Sequence, residues 1–389
     1  MARALLLAAT TLASQGCFSA GYLAQAARGE LGILGAARPI PEVVAEREVP
    51  ARTARLLLAV RAIKAFGQAQ GLTATRNYER YADLHRPAAV WVVQACAPLA
   101  FDVRHWRFPI VGSVPYLGFF DAGAAQSYAR SLAREEGLDV DVRPADAFST
   151  LGWFQDPVLS TMIAGGDEAL GDLAEVVLHE SVHATLYIDD QSTFDESLAS
   201  FVSDRLALHW LEGALGPDSP ETRAWVVARS RRRAILSRLH RAYVELAALY
   251  ASPATDAEKR TAKERILTAA REELGLSRPL NNAALAGYKT YDTGAAAFER
   301  LLAACGHGWP RFMRALGTLR ESDFAHPRQR EFDDVVDRLV RDPPGALTPP
   351  ATGAAPPSPP RARGRRGRAP SSCPRPRRRS RARSSCWSG

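Results

Sequence analysis

Paired cysteines, lysines and long apolar runs are all scarce in this chain of 389 residues. No CxxC pair is present among the five cysteines, which argues against a zinc knuckle built from thiolates. Beyond the N-terminus no stretch of 18 or more apolar residues occurs, so no further segment is expected to span a membrane. No repeat with a period of 20–50 residues is found, which argues against a solenoid or propeller.

Lysine is rare, and the positive charge is concentrated at the C-terminal end. Only four lysines stand among 50 basic residues, and the segment 343–389 holds eleven arginines and no acid. Removing those eleven charges from the net charge of +8 leaves −3 for residues 1–342. No basic stripe marks the part expected to fold, so no nucleic-acid partner is predicted. The segment 343–389 has few apolar residues to bury and is predicted to be a disordered Pro/Arg-rich tail.

The first 17 residues, MARALLLAATTLASQGC, have the form of a secretory signal. One arginine precedes an apolar run over 4–13, and small residues lead to Cys17. Gly16 directly before Cys17 predicts lipoprotein processing with Cys17 acylated, although Ser14 and Gln15 depart from the usual lipobox. An ordinary cleaved signal and an uncleaved anchor are the alternatives. We therefore expect a periplasm-facing protein of the cell envelope that reaches a membrane through Cys17 or an N-terminal anchor.

The apolar patterning predicts an α+β, mostly helical domain over 18–342, in which a small mixed α/β part precedes a larger helical part. Residues 21–50 are expected to be a linker-like lead. Strands are expected within the β-rich runs 88–96 and 109–120 and over the short alternating segment 139–144, whereas 147–154 is expected to be either another strand or an extended loop. Helices are expected near 170–187, 195–212, 220–251, 255–274, 293–304 and 328–341.

The stretch VLHESVHATLYIDDQSTFDESLASFV, residues 177–202, carries the clearest chemistry. On a helix His179 and His183 lie four residues apart on one face, where two neutral imidazoles can share one Zn²⁺. Glu180 lies on the adjoining edge and can take a proton from a water on the metal. Zinc lowers the pKa of such a water from 15.7 to about 7, so a carboxylate suffices as the base. The HExxH motif thus supplies two ligands and a general base.

The motif alone is a weak signal, because a helix with two histidines in core contacts can also contain it. Its surroundings favour the metal site. Apolar neighbours such as Val177, Leu178 and Val182 predict a buried helix, whose polar groups need partners. The twelve residues between His183 and Glu196 suffice to end this helix, turn, and bring a second helix back beside it. Glu196 then becomes the third ligand and leaves the fourth position open, as catalytic zinc requires.

HESVH followed by Asp-Glu-Ser-Leu-Ala resembles the gluzincin metallopeptidases. More narrowly, the chain is similar to a bacterial family of predicted aminopeptidases found as envelope lipoproteins. The resemblance also covers GYLAQAARGELGIL (21–34), YERYADLHRP (78–87), WRFPIVGSVPYLGFF (106–120), FSTLGWFQDPVLSTMI (148–163) and NNAALAGYKTY (281–291). It implies a zincin-like fold, bound Zn²⁺ and peptide substrates. Asp195 stands where the family usually has Asn, and Leu117 where it usually has a basic residue.

Candidates for the remaining catalytic roles are less clear. The resemblance implies a hydrogen-bond donor for the reaction's oxyanion, and Tyr288 and Tyr291 are the candidates; the alternative is a buried tyrosine with a satisfied hydroxyl. STLGWF, with Gly152, is a candidate edge for pairing with a substrate backbone, or else an ordinary tight loop. Asp156 and Glu175 are conceivable partners for a substrate α-amine. Asp195 suits helix capping better than metal binding.

These observations lead to the hypothesis of a zinc-dependent peptidase, expected to be an aminopeptidase, in which Glu180 is the base and His179, His183 and Glu196 hold the metal. The aminopeptidase activity is implied by the resemblance, since the motif does not distinguish exo- from endopeptidases. One alternative is a non-catalytic envelope lipoprotein that retains the zincin-like fold. Another is a protein that binds anionic surfaces or nucleic acid through its arginine-rich tail.

Overall fold

The structure is a computed structural model that describes residues 21–108, 112–147, 155–290 and 293–341. Several features singled out in the sequence lie outside these described residues. They are the signal segment with Cys17, the STLGWF stretch with Gly152, Tyr291, and the tail 343–389.

The N-terminal region is helical where the sequence suggested a linker. Helix α1 covers 21–36, followed by α2 (Ile40–Val44) and α3 (Ala51–Ala69). The linker prediction was therefore wrong. The glycines that prompted it do not break the helix, and one of them has a packing role: a Cβ at Gly29 would overlap the Phe120 ring. The helix thus uses the missing side chain for close approach to a neighbouring aromatic residue.

In the described part of the chain, eight short strands form three small sheets. They are β1 (Arg38–Pro39), β2 (Arg80–Ala82), β3 (Val90–Cys96), β4 (Trp106–Phe108), β5 (Gly112–Val114), β6 (Leu117–Phe119), β7 (Asp139–Ala145) and β8 (Val158–Leu159). One sheet has the order β6-β3-β7 and is antiparallel, and β4 pairs with β5. The third has the order β1-β2-β8, in which β2 and β8 run parallel. Helix α4 (Ala122–Glu135) lies between β6 and β7 in the sequence.

The β-rich run expected over 109–120 is confirmed in its described part. It contains two strands, β5 and β6, separated by Pro115 and Tyr116. Proline has no N–H to give to a sheet, so the ladder ends there. The chain can then change partners, because β5 pairs with β4 whereas β6 pairs with β3, with Phe119 opposite Trp91.

The C-terminal part is helical, as expected. Its helices are α5 (Ala169–Thr185), α6 (Ser192–Leu215), α7 (Pro220–Ala251), α8 (Asp256–Glu273), α9 (Asn282–Leu285), α10 (Ala295–Ala304), α11 (Trp309–Leu316) and α12 (Asp333–Arg341). Short 3₁₀ turns cover Ser160–Ile163, Ala286–Thr290 and Glu321–Asp323. The α+β, mostly helical class is therefore confirmed. Helix α11 was not predicted, and α12 is shorter than its expected range.

The largest hydrophobic core surrounds α5 and α6. Val177, Leu178 and Val182 of α5 have no exposed surface and pack in one cluster with Phe194 and Phe298. Burying side chains of this size contributes about 1.5–3 kcal/mol each, so α5 is anchored along its apolar face. Its polar face is thereby held in a fixed orientation. None of the described helices combines the length and apolar character that a membrane span requires.

Candidate metal centre and active site

Helix α5 presents His179 and His183 on one side. Their side chains are 24% and 19% exposed, so both imidazoles lie outside the core and are partly accessible to solvent. The buried face begins directly beside them with Leu178 and Val182. Polar and buried apolar residues can be neighbours in the sequence and still lie on different faces, because successive residues of a helix are rotated by about 100°.

Helix α6 brings the carboxylate of Glu196 to the same side. Only residues 186–191 connect α5 to α6, and the backbone N–H of Ile188 in this connection donates to Asp195 Oδ1 at 3.0 Å. Asp195 is 1% exposed and lies in the first turn of α6, whose N-cap is Gln191. Asp195 therefore links the connecting segment to the first turn of α6. The N-cap position expected for Asp195 is occupied by Gln191, one turn earlier.

The three side chains form a tripod. His179 Nε2 lies 3.1 Å from His183 Nε2 and 3.4 Å from Glu196 Oε2, and His183 Nε2 lies 3.5 Å from Glu196 Oε1. A tetrahedral zinc with bonds of about 2.0–2.2 Å separates its ligand atoms by about 3.3–3.6 Å. Two nitrogens and a carboxylate at these separations fit one zinc ion. Among the described residues, no other group of three or more metal-binding side chains converges in this way.

The surroundings of the three tripod side chains shift their pKa values, and at His183 and Glu196 the shifts favour the forms that bind a metal. Burial lowers the pKa of His183 and thus favours the neutral imidazole that binds metals. Burial also lowers the pKa of His179, but the hydrogen bond and charge of Glu196 outweigh it and raise that pKa above the ordinary value. Burial opposes ionisation of Glu196, yet the two histidines hold its pKa below the ordinary value. These two shifts favour an ionised Glu196 carboxylate beside a protonated His179.

Glu180 lies on the adjoining edge of α5, in an acidic neighbourhood. Burial raises the pKa of Glu180, His179 opposes this, and Asp156 adds to the rise. Asp156 is 5% exposed and lies two residues before the start of β8. Tyr78, also 5% exposed, is close enough to Glu180 and Asp156 for their charges to act on its hydroxyl. A carboxylate in such a place takes up a proton readily, as a general base must.

A cavity of about 650 Å³ opens on the Glu196 side of the tripod. Its wall carries four arginines together with acids that pair with them: Arg205, Arg229, Arg232, Arg233, Glu175 and Asp204. Arg232 holds Glu175 at 3.0 Å, and Arg233 holds Asp204 at 2.6 Å. Glu175 is thus engaged by a guanidinium, which makes it a poor partner for a substrate amine.

Tyr288 lines the same cavity, next to Gly287. Its backbone oxygen lies 2.8 Å from His240 Nδ1, and its ring packs against the cluster that includes Leu246 and Leu285. The structure therefore places Tyr288 in the wall of the cavity that Glu196 also lines. Sequence reasoning did not single out Tyr78 or the arginines of α7. The available signal for Tyr78 was its place at the start of the family-like stretch YERYADLHRP.

A comparison with models of known protein families places the chain in one of them. Residues 21–331, well over half of the chain, match the family described as "Putative aminopeptidase". The chain belongs to this aminopeptidase family. Neither the curated proteins nor the solved structures contain a match. The family assignment supports a hydrolase and agrees with the resemblance seen in the sequence.

Proposed function

We propose that this member of the aminopeptidase family is a gluzincin-type, zinc-dependent peptidase with a zincin-like fold, which removes residues from the amino ends of peptides. The observation that carries the proposal is the tripod of His179, His183 and Glu196 with Glu180 beside it. A structural site would have no use for a base-like carboxylate on the adjoining edge of the helix. A catalytic site needs one, together with an open fourth position.

The tripod residues would hold the metal through His179 Nε2, His183 Nε2 and a Glu196 oxygen. Zinc there would supply Lewis acidity and a low pKa for coordinated water, near 7. The side chain of Glu196 is 67% exposed, so solvent and substrate have access from its side. The neutral state favoured at His183 by burial is the state required for binding.

Glu180 performs the proton transfers. It removes a proton from the attacking water as the water oxygen bonds to the carbonyl carbon. It then delivers that proton to the amide nitrogen as the C–N bond breaks, which releases a carboxylic acid and an amine. The rise in the pKa of Glu180 caused by burial and Asp156 suits both transfers, because the group must accept and then release a proton near neutral pH.

The acids beside Glu180 support aminopeptidase over endopeptidase action. Asp156 lies near Glu180, and Glu30 lies near Asp156, whose charge adds to the burial that raises the pKa of Glu30. A protonated α-amine bound there would place the first peptide bond next to Glu180 and would relieve the repulsion among the acids. Of the two acids suggested for this role, Asp156 is the better placed, because Glu175 is paired with Arg232.

The export signal supports a location in the cell envelope, with the protein facing the periplasm and tethered through an acylated Cys17. Peptides in that compartment are then the substrates.

The test is zinc content measured together with hydrolysis. The purified chain is expected to bind one zinc, to cleave amino-acid anilides faster than internally quenched peptides, and to lose activity with a chelator and regain it with zinc. His183→Ala should lose zinc and activity together, because one of three protein ligands is gone. His209→Ala is the matched control, since His209 is exposed on α6 and stacks edge-on against Phe66. It should retain both.

Two outcomes contradict the proposal. A chain that binds no zinc is not this kind of enzyme. A chain that binds one zinc but cleaves neither class of substrate is the non-catalytic envelope protein considered above. Faster cleavage of the quenched peptides would keep the metallopeptidase and reject the aminopeptidase.

A further inference from the structure

Tyr78 has a backbone conformation that tyrosine rarely adopts. Its φ is +63°, in the left-handed region, which a side chain of this size enters only when its surroundings impose it. Strain of this kind is retained where the exact position of a side chain matters. The residue lies between α3 and β2, at the entrance to the sheet that contains β8.

Three hydrogen bonds hold this conformation in place. The backbone N–H of Tyr78 donates to Asp156 O at 2.7 Å. The backbone N–H of Asp156 donates to Asn77 Oδ1 at 3.2 Å, and Lys64 Nζ donates to Asn77 O at 3.0 Å. The turn at Asn77 and Tyr78 is thus tied to α3 on one side and to the chain before β8 on the other. The tyrosine ring has little freedom left.

The Tyr78 hydroxyl, in contrast, makes no hydrogen bond to the described part of the chain. The residue is 5% exposed and packs in the same cluster as Val177, Leu178 and Val182 of α5. Tyrosine hydroxyls in such surroundings usually have a hydrogen-bond partner. At the comparable Tyr81, the Ser160 side chain opposes the rise in the pKa that burial causes. The Tyr78 hydroxyl is therefore available to a molecule that enters the site.

The neighbours of this hydroxyl are the acids of the site. Burial raises the pKa of Tyr78 well above its ordinary value of 10, and the charges of Glu180 and Asp156 add to the rise. The hydroxyl thus remains protonated at neutral pH and can act as a hydrogen-bond donor but not as a base. Carboxylates such as those of Glu180 and Asp156 accept protons or bind cations. Tyr78, in contrast, stays neutral and can donate a hydrogen bond.

We propose that Tyr78 is a catalytic residue whose hydroxyl donates a hydrogen bond to the carbonyl oxygen of the scissile bond as that oxygen becomes negatively charged. This rests on the proposed function. A donor that is already fixed in position needs no reorganisation when the charge develops. The strained backbone at Tyr78 would fix the hydroxyl in this way and so help to stabilise the transition state. Tyr288 is the rival for the role, but it lies on the Glu196 side of the tripod with its ring packed against another cluster.

Tyr78→Phe is the direct test, because phenylalanine keeps the ring and faces the same backbone strain, and only the hydroxyl is lost. We expect kcat to fall by about 10²–10³, with KM changed little and zinc content unchanged. Tyr81→Phe is the matched control and should stay near the wild-type kcat. Tyr288→Phe tests the rival, and its kcat should fall less than that of Tyr78→Phe. Inhibition by a phosphinic peptide, whose charged oxygen imitates the developing one, should weaken in Tyr78→Phe by a factor similar to the loss in kcat/KM. A purely structural role would not produce that match.

The outcomes separate the two proposals. If the wild-type enzyme cleaves peptides and Tyr78→Phe does so at the same kcat, the role of Tyr78 is rejected and the proposed function stands. If Tyr288→Phe shows the loss instead, the donor is Tyr288. If the wild-type enzyme with full zinc cleaves nothing, both proposals are rejected. Melting temperature and zinc content are measured on every sample. Should Tyr78→Phe fail to fold, Tyr78→Asn, which tolerates a positive φ, takes its place with the same expectation.

Discussion

Glu180 and His183 are three residues apart on α5, yet the proposed roles of their side chains differ completely. His183 Nε2 belongs to the tripod, 3.5 Å from Glu196 Oε1. Glu180 does not belong to the tripod; besides the charge of His179, its carboxylate is affected by that of Asp156, and both acids act on Tyr78. The distinction between a ligand and a base is therefore a distinction between two edges of one helix.

Replacing Glu180 with glutamine tests this distinction. The change keeps the size of the side chain and its hydrogen bonds but removes the base. We expect zinc content and melting temperature to remain at the wild-type level, and peptide hydrolysis to fall by about 10²–10⁴. Metal analysis and initial rates on the same samples are sufficient to measure this.

The contrast with His183→Ala gives the experiment its meaning. If Glu180→Gln hydrolyses peptides as fast as the wild type at equal zinc occupancy, Glu180 is not the base. If it loses zinc to the same extent as His183→Ala, Glu180 belongs to the coordination sphere.

At the scale of elements, the position of α5 depends on how closely α7 approaches it. Gly171 in the first turn of α5 faces Trp225 of α7, which has no exposed surface, and a Cβ at Gly171 would overlap the indole ring. Arg229, one turn further along α7, lies over the same ring at 5.5 Å and lines the cavity beside the tripod. A glycine at this crossing thus sets the distance between the metal-site helix and the arginine-bearing helix.

We predict that Gly171→Ala destabilises the protein. Alanine gains about 0.5–1 kcal/mol from helix propensity, but overpacking against Trp225 costs about 1–3 kcal/mol. The melting temperature should fall by roughly 2–4 °C for each kcal/mol of net loss, measured by thermal unfolding. Gly213→Ala is the matched control, because a Cβ at this exposed glycine of α6 meets no described atom within 4 Å. It should raise the melting temperature. Equal behaviour of the two variants would show that α7 moves aside without cost.

At the scale of the whole molecule, the sequence combines a predicted export signal, a near-neutral body and a basic tail. The proposed catalytic residues lie within 21–341, so we expect the two ends of the chain to affect where the protein works and not its chemistry. The tail has eleven arginines, but the body has a net charge of −3 over 1–342 and no basic stripe in its sequence. A role for the tail in binding anions would be steeply salt-dependent.

Cys17→Ser tests the proposed location. In a bacterial host the wild-type protein should fractionate with membranes, and the substitution should release it or stop its maturation, because the thiol that accepts the lipid is gone. Cys386→Ser in the tail is the control and should leave the distribution unchanged. Recovery of the wild-type protein from the cytoplasm with Met1 intact would contradict both the anchor and the export.

The fold was predictable where its signal is local. Helices α5 to α8 have long apolar periods and clear ends, such as Ser219, whose side chain accepts from the N–H of Thr222, and Thr255, which forms a capping box with Glu258. Helix α1 and the division of 109–120 into two strands were missed. In both cases the deciding factor is a distant partner, namely Phe120 beside Gly29 and the separate strands that pair with β5 and β6.

The candidate site shows the same difference between features set by local sequence and features set by distant partners. The sequence by itself determined the candidate ligands and base, because spacings of one and four residues on a helix fix which side chains share a face, and a short connection limits where Glu196 can lie. Only the tertiary structure decided that Tyr78 and Asp156 adjoin Glu180 and that Glu175 is paired with Arg232. These contacts join elements up to about a hundred residues apart. No periodicity encodes such distances, because they depend on how closely packed side chains let separate elements approach.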